Sequence, residues 1–144
     1  MISETVRFGP ARTILVADDD VEERRAFEAL LRGAGFAVLL AADGLAALRT
    51  AKLTQPDLIL MDLRLPGIDG WEAAARLKAD PSTREIRVVA ISGFDVFSGP
   101  TDAFAGFVSK PVPPGLLLTV IERLLPQRGS AASAAAGPPF LARS

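Results

Sequence analysis

Apolar residues in this chain gather into short blocks, and polar or turn-forming residues cut each block off sharply. Thr13 to Ala17 (TILVA) is an apolar run stopped by Asp18-Asp19-Asp20, the pattern of a strand buried on both faces. Helical spacing follows over about 21–34, with Asp20 placed to cap it and Phe27, Leu30, Leu31 and Ala34 on one side. Glu22, Glu23, Arg24, Arg25 and Arg32 fall mostly on the other face, and Gly35 ends the helix. Phe36 to Ala41 reads as a second strand, and Asp43-Gly44 opens a second helix with Leu45, Leu48 and Ala51 as its apolar positions. The run Leu58-Ile59-Leu60-Met61 ends in a lone acid, Asp62. Turn residues Pro66, Gly67 and Gly70 come next, then a third helix over about 70–79 carrying Trp71, Ala74, Ala75 and Leu77, closed by Asp80-Pro81. Ile86 to Ile91 is a fourth strand ending at Ser92-Gly93. The stretch FDVFSGPTDAFAG holds Gly99 and Pro100 in its middle, which leaves room for a short turn or two. Phe107-Val108 is a brief fifth strand cut by Ser109-Lys110-Pro111, and Leu116 to Leu125 is the last helix.

Strands alternating with helices predict an α/β fold with a five-stranded parallel sheet covered on both faces and a short or irregular fourth helix. Right-handed crossovers favour the flavodoxin-like strand order 2-1-3-4-5. Residues 1–11 read as a flexible lead-in and 12–126 as the domain. Residues 127–144, rich in Ala, Gly, Ser and Pro, read as a low-complexity tail or linker. The final PPFLARS is open to two readings, a disordered end or a docking peptide.

A length of 144 residues suits one domain, and a net charge of -1 provides no basic excess for a nucleic-acid backbone. No apolar run is long enough to span a bilayer, and the N-terminal run lacks a signal-peptide cleavage pattern, so a cytoplasmic setting is expected. The chain has no Cys and no His. That excludes disulfides, thiolate nucleophiles, His-dependent triads and a role as histidine phospho-donor. Carboxylates, Lys, Ser/Thr and Arg remain.

In the expected order, strands 1 and 3 meet at the switch point where open α/β sheets bind ligands. Their carboxyl ends carry Asp18, Asp19 and Asp62, and those of strands 4 and 5 carry Ser92 and Lys110. Three carboxylates in one crevice repel and call for a cation, and an oxygen-only donor set suits Mg²⁺. A nucleophilic carboxylate, a divalent cation, an ammonium and a hydroxyl are together the parts that accept a phosphoryl group. Singly, an acid run after a strand is also a common helix entrance, and a lone lysine is commonly a surface residue. Joint placement at four strand ends is the specific signal.

ILVADDD, PDLILMDLRLPGIDGWE, VVAISG and FVSKP together resemble the receiver (CheY-like) domains of two-component response regulators over about residues 12–125. The resemblance implies that Asp62 is the phospho-acceptor. It implies that Asp18 and Asp19 are the acidic pair holding Mg²⁺, with Asp19 the more direct ligand and the Arg64 backbone carbonyl completing the site. Ser92 matches the hydroxyl that bonds the phosphoryl group, and Lys110 the lysine that pairs with it. Phe107 matches the aromatic that moves inward as Ser92 moves, and Pro111 would follow a cis peptide bond. The implied donor is a histidine kinase or histidine phosphotransfer protein, and the implied reader is an output protein not named by the sequence. Catalysis would be limited to the chain's own phosphorylation and dephosphorylation.

Some features depart from the family. The stretch between Ser92 and Lys110 is about one helical turn short, in the region of the usual fourth helix. Phe94, Phe97 and Phe104 crowd it, either filling the core or forming a partner patch. Arg64 either overlooks the phosphoryl site or faces solvent. Two rival functions follow: a pseudo-receiver that binds partners without phosphorylation, or a haloacid-dehalogenase-like phosphatase using Asp18. The second leaves Asp62 without a role, and Val21-Glu22 stands where that family has Gly-Thr.

Overall fold

The computed structural model describes residues 11–93, 101–125 and 140–142, the last three as backbone only. Strands β1 (Thr13–Ala17), β2 (Ala37–Ala41), β3 (Leu58–Asp62), β4 (Arg87–Ser92) and β5 (Gly106–Ser109) form one parallel sheet. Its order, 2-1-3-4-5, is the one the crossovers predict. Helices α1 (Val21–Gly33), α2 (Gly44–Thr54), α3 (Gly70–Ala79) and α4 (Pro114–Leu124) cover it. None of these is long and apolar enough to cross a membrane.

Side-chain alternation along the strands splits the core in two. Leu15, Ala17, Ile59, Met61, Val88 and Ala90 face α2 and α3, packing on Ala47, Ala51, Ala73, Ala74 and Leu77. Ile14, Val16, Leu58, Leu60, Val89 and Ile91 face the other way, onto Leu31 of α1 and Leu117, Val120 and Ile121 of α4. Each fully buried aliphatic side chain contributes about 1.5–3 kcal/mol. Central β3 is therefore apolar on both sides, and Asp62 is the first polar residue it reaches.

Asp20 caps α1, its Oδ1 accepting from the amides of Glu22 (2.9 Å) and Glu23 (3.1 Å), and Asp43 caps α2 by accepting from Ala46 (2.7 Å). The inward face of α2 differs from the expectation. Leu45 is exposed and Ala47 is buried, as Ala73 is buried and Ala75 exposed on α3. Small residues take these inward positions because α2 and α3 lie close to the sheet and to each other. Gln55 ends α2 in the left-handed region (φ 53°), where its side-chain amide donates to the Lys52 carbonyl at 3.2 Å.

Residues 94–100, where the irregular fourth helix was expected, lie outside the described residues together with Phe94 and Phe97. The described remainder is a turn, with the Phe104 amide donating to the Thr101 carbonyl at 3.1 Å. Phe104 itself is core: it packs edge-on against Trp71 (centroids 5.3 Å apart) and against Phe107 (5.2 Å). The tail, read as flexible, gives three residues to the sheet. Strand β6 (Phe140–Ala142) pairs in parallel with Gly106–Val108, making six strands where five were expected. An uncovered β5 edge would expose a row of backbone donors and acceptors, and Phe140-Leu141-Ala142 is an apolar run able to pair there.

Candidate functional site

Five parallel strands aim their carboxyl ends at one rim, and the loops that leave this rim carry the polar residues. Asp62 closes β3. Its neighbour Leu63 donates to the Ile91 carbonyl at 3.0 Å and accepts from the Gly70 amide at 3.0 Å, so strand and following loop are fixed on both sides. The Asp62 side chain is buried. Its Oδ1 accepts from the Arg64 amide at 2.9 Å and its Oδ2 from Lys110 Nζ at 2.9 Å. Lys110 follows β5, where its amide donates to the Ser92 carbonyl at 2.8 Å. The Lys110–Pro111 bond is cis, as the resemblance implies. Ser92 is buried at the end of β4, beside Ser109 in register.

Asp18 is the most deeply buried of the site's acids, 1% exposed. Its amide donates to the Ala41 carbonyl (3.0 Å), and its own carbonyl accepts from Arg24 Nη1 (2.8 Å). Oδ1 accepts from the Asp20 amide at 2.9 Å, but Oδ2 is buried with no hydrogen-bond partner. A buried carboxylate oxygen with no donor is costly unless a proton or a cation meets it.

Glu23 joins this group, although helical periodicity had set it mostly on the solvent side of α1. The first turn of α1 rises directly from the rim, and Glu23 turns back to accept from Lys110 Nζ at 2.8 Å through Oε1. Asp18, Glu23 and Asp62 each place a carboxylate oxygen within 4.8 Å of the others. Asp19 is exposed and stands outside that trio, and Arg64 is exposed. The signal for Glu23 lay in its position, since a first-turn residue of the helix after β1 borders the rim whatever its periodicity.

Electrostatics follow from this packing. Burial pushes the Asp18 carboxyl up to about 7, opposed by the Asp20 amide and reinforced by Glu23 and Asp62. For Lys110, burial alone would favour the neutral amine. The carboxylates of Glu23 and Asp62 outweigh it and hold the ammonium above its usual range. The arrangement offers a fixed carboxylate nucleophile, a permanent cation beside it and an acidic, oxygen-only pocket suited to a hard divalent ion.

Gly70 keeps this rim closed. A Cβ there would run into the Asp62 carbonyl oxygen and Leu63 Cα. Gly70→Ala is expected to cost about 1–3 kcal/mol. Urea unfolding measures it, and a cost indistinguishable from zero would mean that the loop relaxes freely.

Phe107 is 3% exposed and lies against Trp71 (centroids 6.4 Å apart) and Phe104. Trp71 is half-buried in the same cluster, as expected for a core-facing residue of α3.

Comparison with known proteins agrees with this geometry. A family model described as the response regulator receiver domain matches residues 14–122. The response regulator PleD of Caulobacter vibrioides is 36% identical over 115 residues, covering 77% of this chain and 25% of PleD. The chain thus spans about a quarter of the length of that relative. The polar-differentiation response regulator DivK of Brucella anthropi is 30% identical over 105 residues, covering 70% of this chain and 85% of DivK. Among solved structures, the receiver domain of the sensor histidine kinase PA1611 from Pseudomonas aeruginosa PAO1 superposes with a TM-score of 0.73. It is 30% identical, covers 79% of this chain and 97% of that one, and holds a magnesium ion in its active-site cleft. With the family model matching residues 14–122, from β1 into α4, the chain belongs to the response regulator receiver domain family.

Proposed function

We propose that this receiver is the phospho-accepting element of a two-component phosphorelay. In this reading Asp62 takes a phosphoryl group from a histidine kinase or histidine phosphotransfer protein in the cytoplasm, and an output protein reads the result. One observation carries the reading: a buried Asp62 held by the Arg64 amide and Lys110, beside an Asp18 oxygen that has no partner. An Asp62 oxygen attacks phosphorus, the P–N bond of the phosphohistidine breaks, and the leaving imidazole takes up a proton. Lys110 offsets negative charge on the phosphoryl oxygens, and the Ser92 hydroxyl donates to one of them. Asp18, Asp19 and Asp62 would hold Mg²⁺ with the Arg64 carbonyl, Asp19 being the more direct ligand of the acidic pair. The ion, when bound, supplies charge neutralisation that no side chain here can match. As Ser92 turns toward the phosphoryl group, Phe107 repacks against Trp71 and Phe104, altering the β4–β5 side of the domain. Beyond this self-modification the chain catalyses nothing.

The test is intact mass after incubation with acetyl phosphate and Mg²⁺. The wild type is expected to gain one phosphoryl group, lost in Asp62→Asn and in EDTA. Modification that survives in Asp62→Asn and disappears in Asp18→Asn would overturn the reading in favour of a phosphatase-like nucleophile. No modification, together with unchanged Trp71 emission on adding beryllofluoride, would leave a phosphorylation-independent binding module.

A further inference from the structure

Glu23 has no part in the chemistry above, yet its placement is specific. Asp20 pins its backbone at the start of α1, and its carboxylate reaches inward across the rim to a lysine 87 positions away in sequence. Its neighbour Glu22, equally acidic and on the same turn, is exposed. Lys110 engages Glu23 through Oε1, and the same carboxylate lies within 4.8 Å of oxygens from Asp18 and Asp62. Glu23 thus shares its cluster with a buried Asp18 whose Oδ2 no donor satisfies.

We propose that Glu23 is a further carboxylate ligand of the divalent cation, joining Asp18 and Asp62 across the rim in addition to the ligands named above. The inference rests on the cation-binding part of the proposed function. An added acidic ligand holds a hard cation more tightly and replaces a water that Mg²⁺ otherwise retains. Glu23 thereby ties α1 to the rim. Lys110, which shares its positive charge between Glu23 and Asp62 in the structure, passes to the Asp62 side when Glu23 turns to the cation.

Calorimetric titration with Mg²⁺ and Mn²⁺, without any phospho-donor, tests this. Glu23→Gln is expected to weaken binding by about tenfold or more. Glu23→Asp, which keeps the charge but shortens the reach, is expected to weaken it as well. Glu22→Gln is expected to leave it unchanged. A wild-type affinity retained in Glu23→Gln or Glu23→Asp overturns the inference and leaves the metal site intact, provided that Asp62→Asn still loses the ion. Equal losses in Glu22→Gln and Glu23→Gln overturn it too, since diffuse charge would then explain both. A wild type that binds neither ion overturns the inference and the cation-binding reading together.

Discussion

Asp18→Asn is expected to stabilise the cation-free protein by about 2–3 kcal/mol at pH 8 while gaining almost nothing at pH 4. Asp18 titrates near 3.8 in an ordinary environment and near 7 in the folded chain. Below pH 4 both states carry the proton and the residue has no effect on stability. Between the two values the unfolded chain releases a proton that the folded chain keeps, so stability falls as pH rises. Above pH 7 the loss is complete, because the folded state must then hold an ionised Asp18 beside Glu23 and Asp62. Asparagine keeps an oxygen for the Asp20 amide and adds an NH₂ donor toward the neighbouring acids. Urea unfolding in EDTA at several pH values measures the difference between the two proteins. A gap that does not change between pH 4 and 8, or that shrinks, would sink the argument. Saturating Mg²⁺ should reverse the order, because the wild type alone keeps its full set of ligands.

Lys110→Ala is expected to act in the opposite sense, destabilising the cation-free protein at pH 7 by about 2–3 kcal/mol. The ammonium is three-quarters buried and pairs at 2.9 Å with an Asp62 side chain that is only 6% exposed. Its removal takes away the ammonium that pairs with Glu23 and Asp62 and leaves their carboxylates beside the buried Asp18. The same substitution is expected to tighten Mg²⁺ several-fold, since ammonium and metal compete for the same carboxylates. Unfolding curves with and without Mg²⁺ read both effects at once. If affinity falls with stability, Lys110 holds the pocket in shape rather than competing for it.

These two residues were readable in the sequence because each stands where an apolar strand stops, and a sheet of known order places all such stops on one rim. Asp18, Asp62, Ser92 and Lys110 follow from that rule. The caps Asp20 and Asp43 were legible for a similar reason: a short polar side chain before a periodic run has few other uses. Glu23 was hidden because helical periodicity averages over a whole helix and says little about its first turn, where the neighbour is a loop rather than the sheet. Leu45 and Ala47 exchanged expected places because hydrophobicity cannot report how closely a helix approaches. Close approach selects alanine over leucine. The pairing of Phe140–Ala142 with β5 was hidden by composition, since the surrounding Ala, Gly and Pro carry no strand signal and the partner lies some thirty residues back.

That last pairing also decides where the described chain comes to its ends. Parallel addition sends β6 in the same direction as β5, so Ala142 finishes level with Val108, next to the strand that delivers Lys110. Thr13 begins β1 at the opposite end of the strands, five strand residues below the rim, or about 17 Å away. The two ends of the described fold are thus unequal as points of attachment. Cargo joined near Ala142 would sit within reach of the acidic pocket and of any protein that docks there, and it would compete with that protein for space. Cargo joined before Thr13 would hang from the opposite side and leave the rim open.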